Sequence, residues 1–71
     1  MNKIVNCALN EEGTHLCIED DKNWTKCLKG ELCDNIFHID ADKLRDEGFD
    51  PAELAAHIRR HPQIGVNIII E

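Results

Sequence analysis

Residues 49–71, with the sequence FDPAELAAHIRRHPQIGVNIIIE, decide the fold because they predict an amphipathic helix followed by a β-strand. Asp50 is a favourable N-cap, and Pro51 follows at the first helical position, where a missing N–H removes no hydrogen bond. Phe49 before the cap and Leu54 at the fourth helical position match the pattern of a hydrophobic staple. The helix therefore has a defined start and a defined apolar side.

The end of this segment is equally well marked. Pro62 disfavours helical backbone at His61, so the helix is expected to end there. Residues 64–70 are rich in isoleucine and valine, which predicts a strand that is covered on both faces or lies at the centre of a sheet. A helix between two strands also permits parallel pairing of this last strand with an inner one through a right-handed crossover.

Upstream, a shorter helix is predicted over residues 41–47, with Asp40 as its N-cap and Gly48 as its C-terminal stop. Strands are predicted over residues 3–9, 14–19, 24–28 and 35–39. The whole chain, residues 1–71, is expected to form one small α+β domain. Its mostly antiparallel sheet comprises an N-terminal β-meander, a middle strand and a C-terminal strand, with one short and one longer helix packed on one face.

The first hairpin has two possible registers. Asn10 and Gly13 suit a type I turn with a G1 bulge, which places Cys7 opposite Cys17. Hydrophobic matching instead shifts the pairing by one residue and gathers the apolar side chains on one face: Val5, Cys7, Leu9, Leu16 and Ile18. Because a one-residue slip moves every side chain of a strand to the other face, the sequence leaves both registers open.

The charge distribution bears on the kind of partner. Fourteen Asp and Glu residues against eight Lys and Arg give a formal net charge of −6. This argues against direct binding to nucleic acid or an anionic membrane and favours a protein partner with a basic surface. The residues expected to bind that partner are Glu11, Glu12, Glu19, Asp20, Asp21 and Trp24. A purely solubilising role for the charges is the alternative, and Trp24 is expected to be buried because a small chain needs its area.

No segment of the sequence predicts export or a membrane span. The apolar stretch after Met1 comprises only Ile4 and Val5, and the longest apolar run is residues 68–70, which is far too short to cross a bilayer. A cytoplasmic location is therefore expected. Because thiols are normally reduced in that compartment, the four cysteines are expected to be free or buried rather than disulfide-bonded.

Two other arrangements of the cysteines stay open. A disulfide could join Cys7 to Cys17 if the turn chemistry sets the register. No cofactor is expected, but the metal alternative is a zinc site, because two histidines stand one helical turn apart and two cysteines form a long knuckle-like pair. Its four ligands would be Cys27, Cys33, His57 and His61.

The nearest approach to a catalytic pair is His15 with Cys17, which share one face of a predicted strand. The sequence has no Cys-x-x-Cys, no Gly-x-Ser-x-Gly and no glycine-rich phosphate loop, so no enzymatic activity is expected. The sequence favours a non-catalytic acidic protein-interaction module, of the kind that a phage or mobile element encodes to inhibit a basic nucleic-acid-binding protein. A small zinc-binding or thiol-redox regulatory domain is the alternative.

Overall fold

The computed structural model describes residues 3–71, so the first two residues of the predicted domain lie outside the described part. Within that part the chain forms β1 (Ile4–Leu9), β2 (His15–Asp20), β3 (Thr25–Lys29), β4 (Glu31–Cys33), β5 (Ile36–Ile39), α1 (Ala41–Asp46), α2 (Pro51–Arg60) and β6 (Asn67–Ile70). The predicted small α+β class is confirmed. Instead of joining in one sheet, the strands of residues 3–71 divide into a first sheet, β1-β2-β3, and a second sheet, β4-β5-β6.

The register of the first hairpin differs from both predictions. Leu9 pairs with Leu16, and Cys7 pairs with Ile18. The type I turn itself forms as expected, with Gly13 at φ 72° and its N–H donating to the Asn10 carbonyl at 3.1 Å. The ladder, however, resumes one residue later than the bulge would require, so Cys7 does not lie opposite Cys17.

The side chain of Asn10 explains the longer loop. Its Oδ1 accepts the backbone N–H of Thr14 at 2.9 Å and that of His15 at 3.0 Å, and the Asn10 N–H donates to the His15 carbonyl at 3.0 Å. The Asn10 backbone carbonyl already accepts the Gly13 N–H, so the side-chain amide oxygen of Asn10 serves as the acceptor for the next N–H groups instead. The observed register keeps four of the five predicted apolar residues on the core side, and the exception is Val5, which is exposed.

Gly30 carries the chain from the first sheet into the second. Its N–H donates to the Thr14 carbonyl at 3.1 Å, and the position of a side-chain carbon there is already occupied by the Phe37 ring and the His38 carbonyl. Only glycine fits such a close approach. The strand that follows, β4, was not predicted.

A two-residue turn connects β4 to β5. Asp34 and Asn35 have φ of 53° and 64°, the left-handed conformation that a type I′ turn requires at both positions. Asp and Asn tolerate this conformation better than other residues with a Cβ. Two adjacent residues of this type, between Cys33 and Ile36, were the local signal for the β4-β5 hairpin.

Both helices follow the predicted local code. The Asp40 carboxylate accepts the Asp42 N–H at 2.8 Å, and the Asp50 carboxylate accepts the Ala52 N–H at 3.0 Å. Phe49 and Leu54, the predicted staple pair, are both buried. The start of α2, which the sequence places at Pro51, is confirmed.

The last strand is only partly as predicted. β6 does pair in parallel with β5, the inner strand of the second sheet. The expectation that it would be central or covered on both faces is wrong, because β6 is an edge strand and Ile69 is 42% exposed. The strand is also shorter than expected, since Gly65 at φ 79° holds a turn and leaves Ile64 97% exposed.

The buried core draws on both sheets and both helices. Its members are Ile4, Leu16, Ile18, Leu28, Phe37, Ile39, Leu44, Phe49 and Leu54. A register shift in β1 between Ile4 and Asn6 turns Ile4 inward and Val5 outward. No helix among residues 3–71 is long and apolar enough to cross a membrane.

Candidate functional site: the acidic turn and its disulfide

A disulfide bond joins Cys17 of β2 to Cys27 of β3. The two residues are direct partners in the antiparallel ladder, and each points away from the core, because Leu16 and Ile18 on either side of Cys17 are buried. The predicted partner of Cys17, Cys7, is therefore wrong. The observed register sends Cys7 to the core side, opposite Ile18.

This disulfide also corrects the expectation that the cysteines would be free. Among the described residues, the two free thiols are those of Cys7, which is half-buried, and Cys33, which is exposed at the end of β4. Burial raises the pKa of the Cys7 thiol to about 11, so this group stays protonated at neutral pH. A disulfide is uncommon in a reducing compartment, and the cytoplasmic location stays a prediction.

The turn between β2 and β3 is built around the carboxylate of Asp20. Asp20 Oδ1 accepts the N–H of Lys22 and that of Trp24, both at 2.9 Å. The backbone closes the same turn, because the Asp20 N–H donates to the Trp24 carbonyl at 3.0 Å. Asp20 is only 1% exposed, so its carboxylate organises the turn and is not displayed to a partner.

Trp24 stands on the surface of this turn, and the prediction that it would be buried is wrong. Its side chain is 47% exposed. One face of the indole stacks on the Phe49 ring, with centroids 5.8 Å apart and planes at 22°. Phe49, which precedes the N-cap of α2, therefore packs against one face of the indole, and the rest of the ring faces solvent.

The residues predicted to bind a partner fall into two groups. Glu11 and Glu12 are exposed in the loop before β2, whereas Asp21 is exposed and Glu19 half-buried at its other end. Six strand residues at about 3.3 Å each separate these groups by roughly 20 Å. We use the name acidic turn for Glu19, Asp20, Asp21 and Trp24, which the structure brings together, and Glu11 and Glu12 lie apart from it.

A salt bridge connects the hairpin that carries the acidic turn to the helical half of the chain. Lys26 Nζ on β3 lies 3.2 Å from Glu47 Oε2 at the end of α1. Lys22 follows Asp21 directly in the turn. Lys3 lies across from Asp21, because the Asp21 N–H donates to the Lys3 carbonyl at 2.9 Å.

The four residues of the zinc alternative do not converge. Cys27 is bonded to Cys17 on the outer face of the first sheet, whereas His57 and His61 lie together on α2 with ring centroids 4.8 Å apart. Within residues 3–71, no group of three or more His, Cys, Asp or Glu side chains is placed to hold a metal ion. Burial, then the positive charges of His61 and Arg60, lower the pKa of His57.

The alternative pair His15 and Cys17 does share the outer face of β2, as predicted from strand alternation. His15 Nδ1 lies 2.8 Å from Thr14 Oγ1, and the Cys17 sulfur is held in the disulfide. This arrangement leaves no free thiol beside the imidazole. Comparison of the chain with protein-family models, with curated proteins and with solved structures finds no match in any of the three.

Proposed function

We propose that this chain is a non-catalytic protein-interaction module that binds a basic protein surface through the acidic turn. The observation that carries the proposal is the half-exposed Trp24, which stacks on Phe49 and lies in the same turn segment as Glu19 and Asp21. Tryptophan is enriched among the residues that dominate binding energy at interfaces. An indole already held by a stacking partner loses little further freedom when it binds.

The charge of the molecule supports a basic partner. The chain carries a net charge of −6, and an excess of one sign attracts a partner of the other sign and speeds the encounter. The basic surfaces of nucleic-acid-binding proteins, which recognise phosphates through Lys and Arg, fit this description. An inhibitor of such a protein, encoded by a phage or mobile element, would place carboxylates where the partner otherwise holds phosphates.

Two features of the thiols support the non-catalytic part of the proposal. The Cys17 sulfur, which lies on the same strand face as His15, is bonded to Cys27. The Cys7 thiol has a raised pKa and therefore little thiolate, the reactive form, at neutral pH. A nucleophilic role for either of these two sulfurs would need it to be free and ionised.

The test uses a synthetic lysine-rich peptide as the probe of a basic surface. Binding is followed through the emission of Trp24, the only tryptophan in the chain, and by calorimetry for variants that lack it. We expect the affinity to fall steeply as salt is added, because the contacts are between charges. An affinity that is unchanged between low and high salt would count against the proposal.

A matched pair of variants tests the role of the indole. Trp24→Ala removes the half-exposed ring, and Ile64→Ala removes a side chain that is 97% exposed in the loop between α2 and β6. We expect Trp24→Ala to weaken peptide binding about tenfold and Ile64→Ala to leave it unchanged. Equal effects of the two substitutions would show that Trp24 has no special role in binding.

A further inference from the structure

The Cys17–Cys27 disulfide is open to attack by an external thiol. Cys27 is exposed, and β3 is an edge strand, so no strand of the first sheet lies beyond it. A thiolate attacks a disulfide sulfur from the side opposite the leaving sulfur. For attack at Cys27 that approach comes from the open edge of the sheet, whereas attack at the half-buried Cys17 has to pass over β1.

The crosslink also encloses the acidic turn. Cys17 and Cys27 are separated by 10 positions in the sequence, and the segment between them contains Glu19, Asp20, Asp21 and Trp24. A bond that closes a chain segment restricts the conformations available to everything inside it. The disulfide therefore limits the conformational freedom of the whole acidic turn.

We propose that Cys17–Cys27 is a thiol–disulfide exchange site through which a dithiol reductant controls the order of the acidic turn. A thiolate of the reductant bonds to Cys27 Sγ, the Cys17–Cys27 bond breaks, and its electron pair leaves on Cys17 Sγ, which takes a proton from water. The second thiolate of the reductant then attacks the reductant's sulfur in the mixed disulfide, and the electron pair of that bond leaves on Cys27 Sγ, which also takes a proton from water. Both cysteines end as thiols, and the reductant ends as its intramolecular disulfide.

Reduction is expected to loosen the turn without unfolding the chain. Ile18, the first residue inside the segment, and Leu28, just beyond Cys27, are buried in the core, and we expect them to stay there. The hydrogen bonds to Asp20 and the stacking of Trp24 on Phe49 also remain available to the reduced protein. What is lost is the crosslink that keeps these weaker contacts closed.

This regulation rests on the proposed function in one respect, since the consequence of a looser turn is weaker binding to the basic partner. A preorganised surface binds more tightly because less conformational freedom is lost on association. The oxidised chain is then the binding form, and the reduced chain is the weakly binding form. Oxidation state becomes a control on the interaction.

The first experiment follows exchange and its structural effect in a Cys7→Ala/Cys33→Ser background, where only Cys17 and Cys27 can react. Treatment of the folded protein with dithiothreitol is expected to reduce the bond at a rate within about tenfold of that for oxidised glutathione. Acrylamide quenching of Trp24 should increase while the far-UV circular dichroism is kept. A bond that reduces only in denaturant, or a Trp24 signal that does not change, would overturn the proposal.

The second experiment measures binding of the lysine-rich peptide to the same protein, oxidised or reduced and alkylated with iodoacetamide. Cys17→Ser/Cys27→Ser serves as a reduced mimic without added groups. We expect both reduced forms to bind about tenfold more weakly than the oxidised form. Equal affinities would overturn the control of binding and leave the proposed function standing. Failure of the oxidised form to bind would contradict the proposed function. The change in acrylamide quenching of Trp24 on reduction would then be the test of the exchange site.

Discussion

The two loops at the ends of β2 use the same local device and reach different results. In the loop before β2, Asn10 Oδ1 accepts two backbone N–H groups, and in the turn after β2, Asp20 Oδ1 does the same. In the first loop the buried Gly13 lies against the Leu32 side chain. In the second the exposed Trp24 stacks on the buried Phe49. The same hydrogen-bonding arrangement therefore leaves an indole on the surface of the second loop, which is where we propose that the partner binds.

The two loops are expected to differ most in the free energy of unfolding that is lost when the side chain accepting the two N–H groups is removed. Asp20→Ala removes a buried carboxylate that accepts two partly buried N–H groups, which costs about 3 kcal/mol in the free energy of unfolding. Asn10→Ala is the matched variant, and it should cost about 1 kcal/mol because its hydrogen bonds are largely exposed to water. Urea unfolding measures both. Equal losses for the two variants would show that the loops do not differ in this way.

The next effect is that of the crosslink, which only the second loop has. Cys17→Ser/Cys27→Ser is expected to lower the free energy of unfolding by about 3 kcal/mol, because a short closed segment regains its freedom in the unfolded chain. For a chain of this size that corresponds to a fall in Tm of roughly 10–20 °C. Cys33→Ser, which changes an exposed free thiol, is the control. A Tm within about 2 °C of the parent would contradict a stabilising role for the disulfide.

The smallest effect is that of pH, and it lies outside both loops. Burial lowers the pKa of His57 below its ordinary value of about 6.5. The unfolded chain therefore takes up this proton more readily, so stability is full above about pH 6.5 and falls as the pH drops through the folded pKa. Unfolding by urea between about pH 7 and 5 measures this, and His57→Gln should flatten the dependence. A slope that is the same in the variant would assign it to other groups.

The helical half was predictable because its signals are local. Asp50, Pro51 and the pair Phe49 and Leu54 act within one helical turn, and their effect does not depend on what α2 packs against. The same holds for Asp40 at the start of α1. Residues 64–70 were harder, because the pattern of isoleucines is the same for a central strand and for an edge strand with one apolar face.

The first half was less predictable because its register depends on contacts that no sequence spacing reveals. The Asn10 side chain lengthens the first loop by one residue, and this shift places Ala8 rather than Cys7 opposite Cys17. The division into two sheets depends on the close approach of Gly30 to the Phe37 ring. Trp24 was misplaced for a related reason, since its support by Phe49 joins distant parts of the chain.

The sequence identified residues of the candidate site, but it did not predict their burial or their positions relative to one another. The six residues expected to bind a partner include three of the acidic turn that reach solvent, the half-buried Glu19 and the exposed Asp21 and Trp24. The sequence could not show that Asp20 is buried or that Glu11 and Glu12 lie at the other end of β2, because both facts depend on the strand's length and facing.

The central claim is that the end of β2 that carries Trp24 is the interaction surface, and a charge-matched pair of variants tests it most directly. Glu19→Gln/Asp21→Asn and Glu11→Gln/Glu12→Gln remove the same charge from opposite ends of the strand. At one low salt concentration, we expect the first to weaken binding of the lysine-rich peptide about tenfold and the second by about twofold or less. Equal losses from the two variants, or a larger loss from the second, would contradict the claim.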